Sequence, residues 1–147
     1  MENKFALVSA EEEQRIGRAL LVWLNYYPDK PVGRINFEFL PIGSAGVMMS
    51  SIQAAIKTRQ YITGGYEAQY QFSLVYRAYP DDNDSRLAAD EMLNSIGVWA
   101  ERSTASLVLD GAIVRSVKRN SNASLLAAYD DGSRDHQILM TLTYEVI

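Results

Sequence analysis

Residues 64–86, GGYEAQYQFSLVYRAYPDDNDSR, decide the fold. Apolar or aromatic residues occupy every second position of this stretch, at Ala68, Tyr70, Phe72, Leu74, Tyr76 and Ala78. Polar residues stand between most of them, at Glu67, Gln69, Gln71, Ser73 and Arg77. Because successive side chains of a strand point to opposite faces, this alternation predicts one long strand with a single buried face.

The residues at each end of this strand predict its connections. Gly64 and Gly65 permit backbone angles that other residues resist, so they indicate the tip of a β-hairpin that joins residues 57–63 to residues 66–79. Pro80 ends the strand, and an aspartate or asparagine of DDND can cap a following helix. The predicted inward stripe of that helix is Ala88, Met92, Ile96 and Trp99.

An earlier helix is predicted from Ser9 onward. Ser9 and Glu12 have the spacing of a capping box, and Pro28 closes the periodic segment. The apolar residues that recur at helical spacing are Ile16, Leu20, Trp23, Leu24 and Tyr27.

The remaining segments are mostly predicted strands. Residues 35–39 alternate with period two, residues 47–51 form a plausible strand, and SIQAAIK at 51–57 is compatible with a short helical turn. Three later strands are predicted near residues 112–120, 124–131 and 136–147. The sequence therefore predicts a single α+β domain over residues 1–147, in which two main helices pack on a mainly antiparallel sheet with a long β-hairpin.

The amino-acid composition excludes several classes of function. The chain has 147 residues, of which 48% are hydrophobic and 22% charged, as expected for one globular domain. A net charge of −4 disfavours a dedicated nucleic-acid binder, and the absence of cysteine excludes disulfides and thiolate metal sites. No apolar run has the length of a signal peptide core or a membrane span, so we expect a soluble protein made inside a cell, with no membrane partner.

The sequence contains no recognisable catalytic or cofactor motif. His136 is the single histidine, and beside Asp135 it is interpreted as a turn or edge residue. DDNDSR lacks the glycine and the final glutamate of a calcium loop, and IGSAG lacks the first glycine of a nucleophile elbow. We therefore expect no enzyme activity, no cofactor and no metal site.

Two sets of residues are candidates for contact with partners. Arg115, Lys118 and Arg119 are a basic cluster that could meet a polyanion or an acidic partner, although a solvated strand and loop also explains them. Tyrosine is concentrated near the predicted hairpin and is compatible with either core or interface. The candidate subunit-interface residues are Arg59, Tyr61, Tyr66 and Tyr70.

Residues 63–101, TGGYEAQYQFSLVYRAYPDDNDSRLAADEMLNSIGVWAE, carry a family resemblance. This order of glycine-aromatic turn, alternating strand, acidic turn and helix ending near a tryptophan resembles the minor capsid or tail-terminator proteins of long-tailed bacteriophages, particularly those of Gram-positive hosts. The resemblance implies a domain that assembles into a hexameric ring, ends the tail tube and meets the head–tail connector. It also implies a virion protein that is assembled in the bacterial host cytoplasm, with no catalytic residues.

Further expectations follow from this resemblance. The partners would be further copies of the chain, the tail tube protein and the connector protein, and DNA would only pass through the ring. The hairpin at 57–79 and the last strand would supply subunit contacts, and an acidic lumen would suit passage of DNA. One alternative is another neck protein, such as a head-closure or connector component, and a more distant one is a small cytosolic ligand-binding α+β domain.

Overall fold

The computed structural model describes residues 6–147, which form two long helices and one sheet of seven strands. The elements in chain order are α1 (Ala10–Leu24), β1 (Ile35–Phe37), β2 (Gly46–Ser51), β3 (Ile56–Gln60), β4 (Tyr66–Ala78), α2 (Asn83–Arg102), a 3-10 turn (Thr104–Ser106), β5 (Ile113–Arg119), β6 (Ser124–Ala128) and β7 (Arg134–Val146). The predicted α+β class is confirmed.

The sheet is built around β4 and β7. These strands have 13 residues each and pair antiparallel along their whole length, from Tyr66 opposite Val146 to Ala78 opposite Arg134. The sheet order is β1-β2-β4-β7-β5, with β3 also paired to β4 and β6 also paired to β7. Among the strand pairs within residues 6–147, only β1–β2 is parallel.

The long hairpin is not confirmed in the predicted form. The expected glycine turn does join β3 to β4, but β3 pairs with β4 only over Tyr66–Gln69. The principal partner of β4 is β7, which lies far away in sequence. An alternating pattern identifies a strand with one buried face, but it does not identify the strand that pairs with it.

Both helices pack on one face of the sheet. Most inward residues of the two central strands are fully buried there, among them Phe72, Leu74, Met140 and Leu142. The opposite surface, here called the open face, carries mainly uncharged polar side chains along its middle, namely Gln69, Gln71, Ser73, Thr141 and Thr143. The predicted alternation of β4 is confirmed for Glu67, Gln69 and Gln71, but Ser73 and Val75 on the open face are buried as well, so residues 72–75 are buried on both faces.

Local chemistry explains where α1 begins and ends. Ser9 is the N-cap, and its hydroxyl accepts a hydrogen bond from the Glu12 amide at 3.1 Å. At the other end, the Asn25 side chain donates to the Leu21 carbonyl at 2.9 Å and accepts from the Ile35 amide at 2.8 Å. One asparagine therefore caps the helix and fixes the start of β1.

Ile96 of the predicted inward stripe of α2 is buried, but the rest of the stripe is displaced by one residue. The buried residues are Ala89, Leu93, Ile96, Gly97 and Ala100, whereas Ala88 is exposed and Met92 is only partly buried. A Cβ at Gly97 would lie 2.7 Å from Arg119 Cδ and 2.9 Å from Ile138 Cδ1, so the helix approaches the sheet through its smallest side chains. Trp99 instead stacks on Trp23 of α1, with ring centroids 5.0 Å apart.

Two further boundaries differ from the prediction. β1 ends at Phe37, because Glu38 has a positive φ of 49° that turns the chain out of the strand. The expected helical turn at residues 51–57 is wrong, since β2 ends at Ser51 and β3 begins at Ile56.

Candidate functional site

Three of the predicted contact residues meet around one carboxylate at an end of the open face. Tyr61 donates a hydrogen bond to Glu145 Oε2 at 2.7 Å, and Arg115 donates to Glu145 Oε1 at 2.6 Å. Arg59 acts on the same carboxylate through its charge. With Glu67, which pairs across the strands with both Arg59 and Glu145, these residues form what is here called the Glu145 cluster.

The Glu145 cluster is held by opposite charges. Hydrogen bonds from Arg115 and then from Tyr61 lower the pKa of Glu145 below its ordinary value. The hydrogen bond to Glu145 raises the pKa of Tyr61, so this phenol stays protonated and is not a base at neutral pH. The cluster can make hydrogen bonds and ion pairs with a partner. It has no net charge, because the two carboxylates balance the positive charges of the two arginines.

The other two predicted interface tyrosines lie on the helix-packed face. The Tyr66 hydroxyl donates to Glu12, and the Lys57 ammonium lies 4.4 Å from the centre of the Tyr66 ring. Tyr70 is a core residue that is only 2% exposed. Its side chain therefore offers almost no surface to a neighbouring subunit.

The predicted basic cluster is divided by the sheet. Arg115 lies in the Glu145 cluster, while Arg119 forms an ion pair of 2.9 Å with Glu101 of α2. Lys118 is exposed and points from the open face, opposite Thr141 of β7. The three cations therefore do not form one surface for a polyanion.

The interpretation of His136 as a turn or edge residue is wrong. Its side chain is 3% exposed on the helix-packed face of β7, and its Nδ1 lies 2.7 Å from Asp90 Oδ1 of α2. This contact between the imidazole and the carboxylate ties α2 to the sheet. The two residues are separated by 46 positions, so sequence spacing gives no signal of the contact.

Glu12 is a second buried polar residue that sequence reasoning missed. Its carboxylate accepts hydrogen bonds from the hydroxyls of Tyr66 and Tyr144, the latter at 2.7 Å. The predicted capping box is therefore half formed, because Ser9 caps the helix while the Glu12 side chain turns toward the sheet. Burial, followed by the hydrogen bond to Glu12, raises the pKa of Tyr144.

A groove of about 290 Å³ lies between α1 and the β1 side of the sheet, and is here called the α1–β1 groove. Its lining includes Gly17, Arg18, Leu21, Phe37, Ser51 and Tyr70. A Cβ at Gly17 would lie 2.8 Å from the Tyr70 hydroxyl, so a larger residue would encroach on that ring. Glu13 and Gln14 complete the lining, so the groove combines apolar side chains with the opposite charges of Glu13 and Arg18.

Apolar side chains are exposed at two opposite edges of the sheet. The first set lies on and after β1 and comprises Phe37, Phe39 and Ile42. The second set lies on and after β6 and comprises Leu125, Leu126 and Tyr129. Strands β2, β4 and β7 lie between β1 and β6, and each of these two edge strands pairs on one side only within residues 6–147.

Within residues 6–147, no group of three histidine, aspartate or glutamate side chains is arranged to hold a metal ion. Neither α1 nor α2 combines the length and apolar composition needed to cross a bilayer.

Comparison with known families found no family model that matches the chain, and a search of curated proteins found no match.

Proposed function

We propose that this protein is a structural component of a bacteriophage virion that forms a ring at the end of the tail tube and joins the tube to the head–tail connector. The observation that carries the proposal is the pair of exposed apolar sets at opposite edges of one sheet. The sequence resemblance over residues 63–101 supplies the phage context.

Two different surfaces on opposite edges suit head-to-tail assembly. A contact between unlike surfaces leaves one copy of each surface free on every pair, so further copies can add until the rotation closes a ring. Exposed apolar residues grouped at an edge are typical of protein interfaces. The Glu145 cluster, with Arg59, Tyr61 and Arg115, provides a polar surface for a further virion partner.

Passage of DNA through the ring is compatible with the charge of the chain. The net charge of −4 gives no overall attraction to phosphates, and the middle of the open face is uncharged. The proposed partners are therefore other copies of the chain, the tail tube protein and the connector protein. The proposed location is the neck of the virion, after assembly in the host cytoplasm.

The first test is the mass of the protein in solution. Light scattering over a concentration series, with negative-stain imaging, is expected to show a species near six times 16.5 kDa with a central hole. A protein that remains at 16.5 kDa at every concentration, even when tail tubes of the same phage are added, would contradict the proposal.

The choice of partner separates this proposal from its nearest alternative. A tail terminator is expected to cosediment with tail tubes and to stop their growth. A head-closure or connector component would instead bind the connector first and leave tube length unchanged. The same labelled protein, mixed with each partner separately, distinguishes the two neck positions.

The α1–β1 groove favours a second candidate, a monomeric ligand-binding domain. Its floor includes Leu21 and Phe37, and the Tyr70 hydroxyl lies at its inner end beside Ser51. Small pockets with an apolar lining and a few polar groups are common ligand sites. This candidate would be supported by a stable monomer whose melting temperature rises when small aromatic compounds are added. The rise should be lost when Phe37 is replaced by serine.

A further inference from the structure

Two turns of the molecule contain the same dipeptide, aspartate followed by glycine. Asp110–Gly111 precedes β5, and Asp131–Gly132 lies between β6 and β7. Both aspartates are exposed, and both glycines have a positive φ, of 73° and 89°. A Cβ at either glycine would meet nothing within 4 Å, so neighbouring atoms crowd neither turn. The two turns therefore differ mainly in their hydrogen bonds.

An aspartate that precedes glycine can rearrange without an enzyme. The backbone nitrogen of the glycine attacks the side-chain carboxyl carbon, and its proton leaves with the carboxyl hydroxyl as water, so that a cyclic imide forms. Water then adds to the imide. Cleavage of the bond from nitrogen to the side-chain carbonyl restores aspartate, and cleavage of the bond to the main-chain carbonyl leaves isoaspartate. One water is released and one is consumed, so the mass is unchanged. Glycine obstructs this attack least, because it has no side chain.

The turn that contains Asp131 is restrained at both reacting groups. The Asp131 carboxylate accepts hydrogen bonds from the Ser133 amide at 2.9 Å and from the Ser133 hydroxyl at 2.5 Å. The Gly132 N–H, which carries the attacking nitrogen, donates to the Tyr129 carbonyl at 3.1 Å. The bonds from the Ser133 hydroxyl and amide also lower the pKa of Asp131, so the carboxyl rarely holds the proton that must leave with its oxygen.

The turn that contains Asp110 lacks these restraints. Within residues 6–147, its carboxylate accepts no hydrogen bond and forms no ion pair, although Arg15 and Arg18 line the same cleft. The Gly111 N–H donates to no carbonyl in that part of the chain. A single long hydrogen bond of 3.4 Å closes the turn at 109–112. The carboxyl carbon and the attacking nitrogen are therefore free to approach each other.

We infer that Asp110 is a site of spontaneous isoaspartate formation in the folded protein, and that the hydrogen-bonded turn at 129–133 protects Asp131 from the same reaction. Water is the only reactant besides the chain itself. The inference does not depend on the proposed ring. Isoaspartate adds one carbon atom to the main chain, so the product would lengthen the turn at 109–112 from which β5 continues.

The test is to age the full chain at mildly acidic pH and to locate isoaspartate after digestion with trypsin. Cleavage after arginine places the two turns in separate peptides, residues 103–115 and residues 120–134. The isoaspartyl and aspartyl forms have the same mass, so chromatography separates them and electron-transfer fragmentation identifies the altered residue. In the folded protein, isoaspartate is expected to accumulate several-fold faster at Asp110 than at Asp131.

The same chain unfolded in urea is the matched control. It keeps both Asp–Gly sequences and loses the hydrogen bonds, so the two sites are expected to react at similar rates. In the folded protein, Ser133→Ala is expected to raise the rate at Asp131 and to leave the rate at Asp110 unchanged. Asp110→Glu is expected to abolish isomerisation in residues 103–115, because the longer side chain would have to close a larger ring.

The comparison of folded and unfolded wild-type chain decides the outcome even if Ser133→Ala fails to fold. Equal rates at the two sites of the folded protein would overturn the inference, and so would faster reaction at Asp131. If isoaspartate appears at both sites in urea and at neither site in the folded protein, the fold protects Asp110 as well and the inference is also wrong.

Discussion

At the residue scale, the most consequential side chain is Glu12. It is 8% exposed near the start of α1, and it joins that helix to β4 through Tyr66 and to β7 through Tyr144. A buried carboxylate is stable only when hydrogen bonds replace its lost hydration. The two phenols provide them.

Removal of this charge is predicted to destabilise the fold. Glu12→Gln should lower the free energy of unfolding by about 1–3 kcal/mol, since an amide cannot accept both phenol hydrogen bonds with the strength of a carboxylate. Urea unfolding measures the change. Glu11→Gln is the control, because it removes a carboxylate from the same helical turn at an exposed position. Equal losses in the two variants would show that the helix dipole, and not the tyrosine contact, explains the effect.

The sequence predicts the local half of this site. Ser9 is recognisable as a cap because its partner, the Glu12 amide, lies three residues away. The tyrosines that bind the Glu12 side chain are 54 and 132 positions away, and only the completed sheet brings them together. The same limit applies to His136 and Asp90, whose contact depends on how α2 crosses β7.

At the scale of elements, the close approach of one backbone to another determines which residue can stand where two strands meet. Gly65 stands where the start of β4 meets the end of β7, and a Cβ there would collide with the carbonyl oxygen of Val146. No side chain can move aside to relieve this contact, because the obstructing atom belongs to the backbone. The glycine is therefore required by the pairing of the two central strands.

Gly65→Ala is predicted to cost about 1–3 kcal/mol of stability by forcing the two strand ends apart. Thermal and urea unfolding measure it, and amide exchange should show faster opening at the end of β7. Gly33→Ala is the matched control, since a Cβ at Gly33 meets nothing within 4 Å and its φ is not positive. If both variants were equally stable, the collision at Gly65 would not contribute to the free energy of unfolding.

Element types were predictable where periodicity was strong. The alternation in β4 and the apolar spacing in α1 both correspond to observed elements. The stripe of α2 was misplaced because Ala89, Gly97 and Ala100 are small, and small residues give a weak hydrophobic signal although they face the sheet. The partner of β4 was missed because β7 is distant in sequence and the adjacent β3 is closer.

At the scale of the whole molecule, several buried phenols share one response to pH. Burial is the main cause that raises the pKa of Tyr66 and Tyr70 to about 12, and it also raises that of Tyr144. The unfolded chain releases these protons near the ordinary value of 10.0, whereas the folded chain retains them. Their contribution to stability is therefore complete below pH 10 and is lost as the pH rises through the folded pKa values.

We predict that the urea midpoint falls steadily between about pH 10 and pH 12. Tyr144→Phe should reduce the steepness of this fall, because a fully buried phenol contributes at most about 1.4 kcal/mol per pH unit. Tyr26→Phe, at an exposed position just after α1, should leave the steepness unchanged. An identical pH profile for wild type and Tyr144→Phe would contradict this account.

The full pairing of β4 with β7 also has a consequence for synthesis. β4 leaves the ribosome with α2, β5 and β6 still to follow, and its partner along all 13 residues is the last strand of the described chain. Until β7 emerges, the edge of β4 that pairs with it has unpaired backbone N–H and C=O groups and is open to misplaced pairing with other nascent chains. Slower translation after β4 would therefore lengthen the interval in which the chain can aggregate, and a chaperone that shields an unpaired strand would raise the yield of native protein.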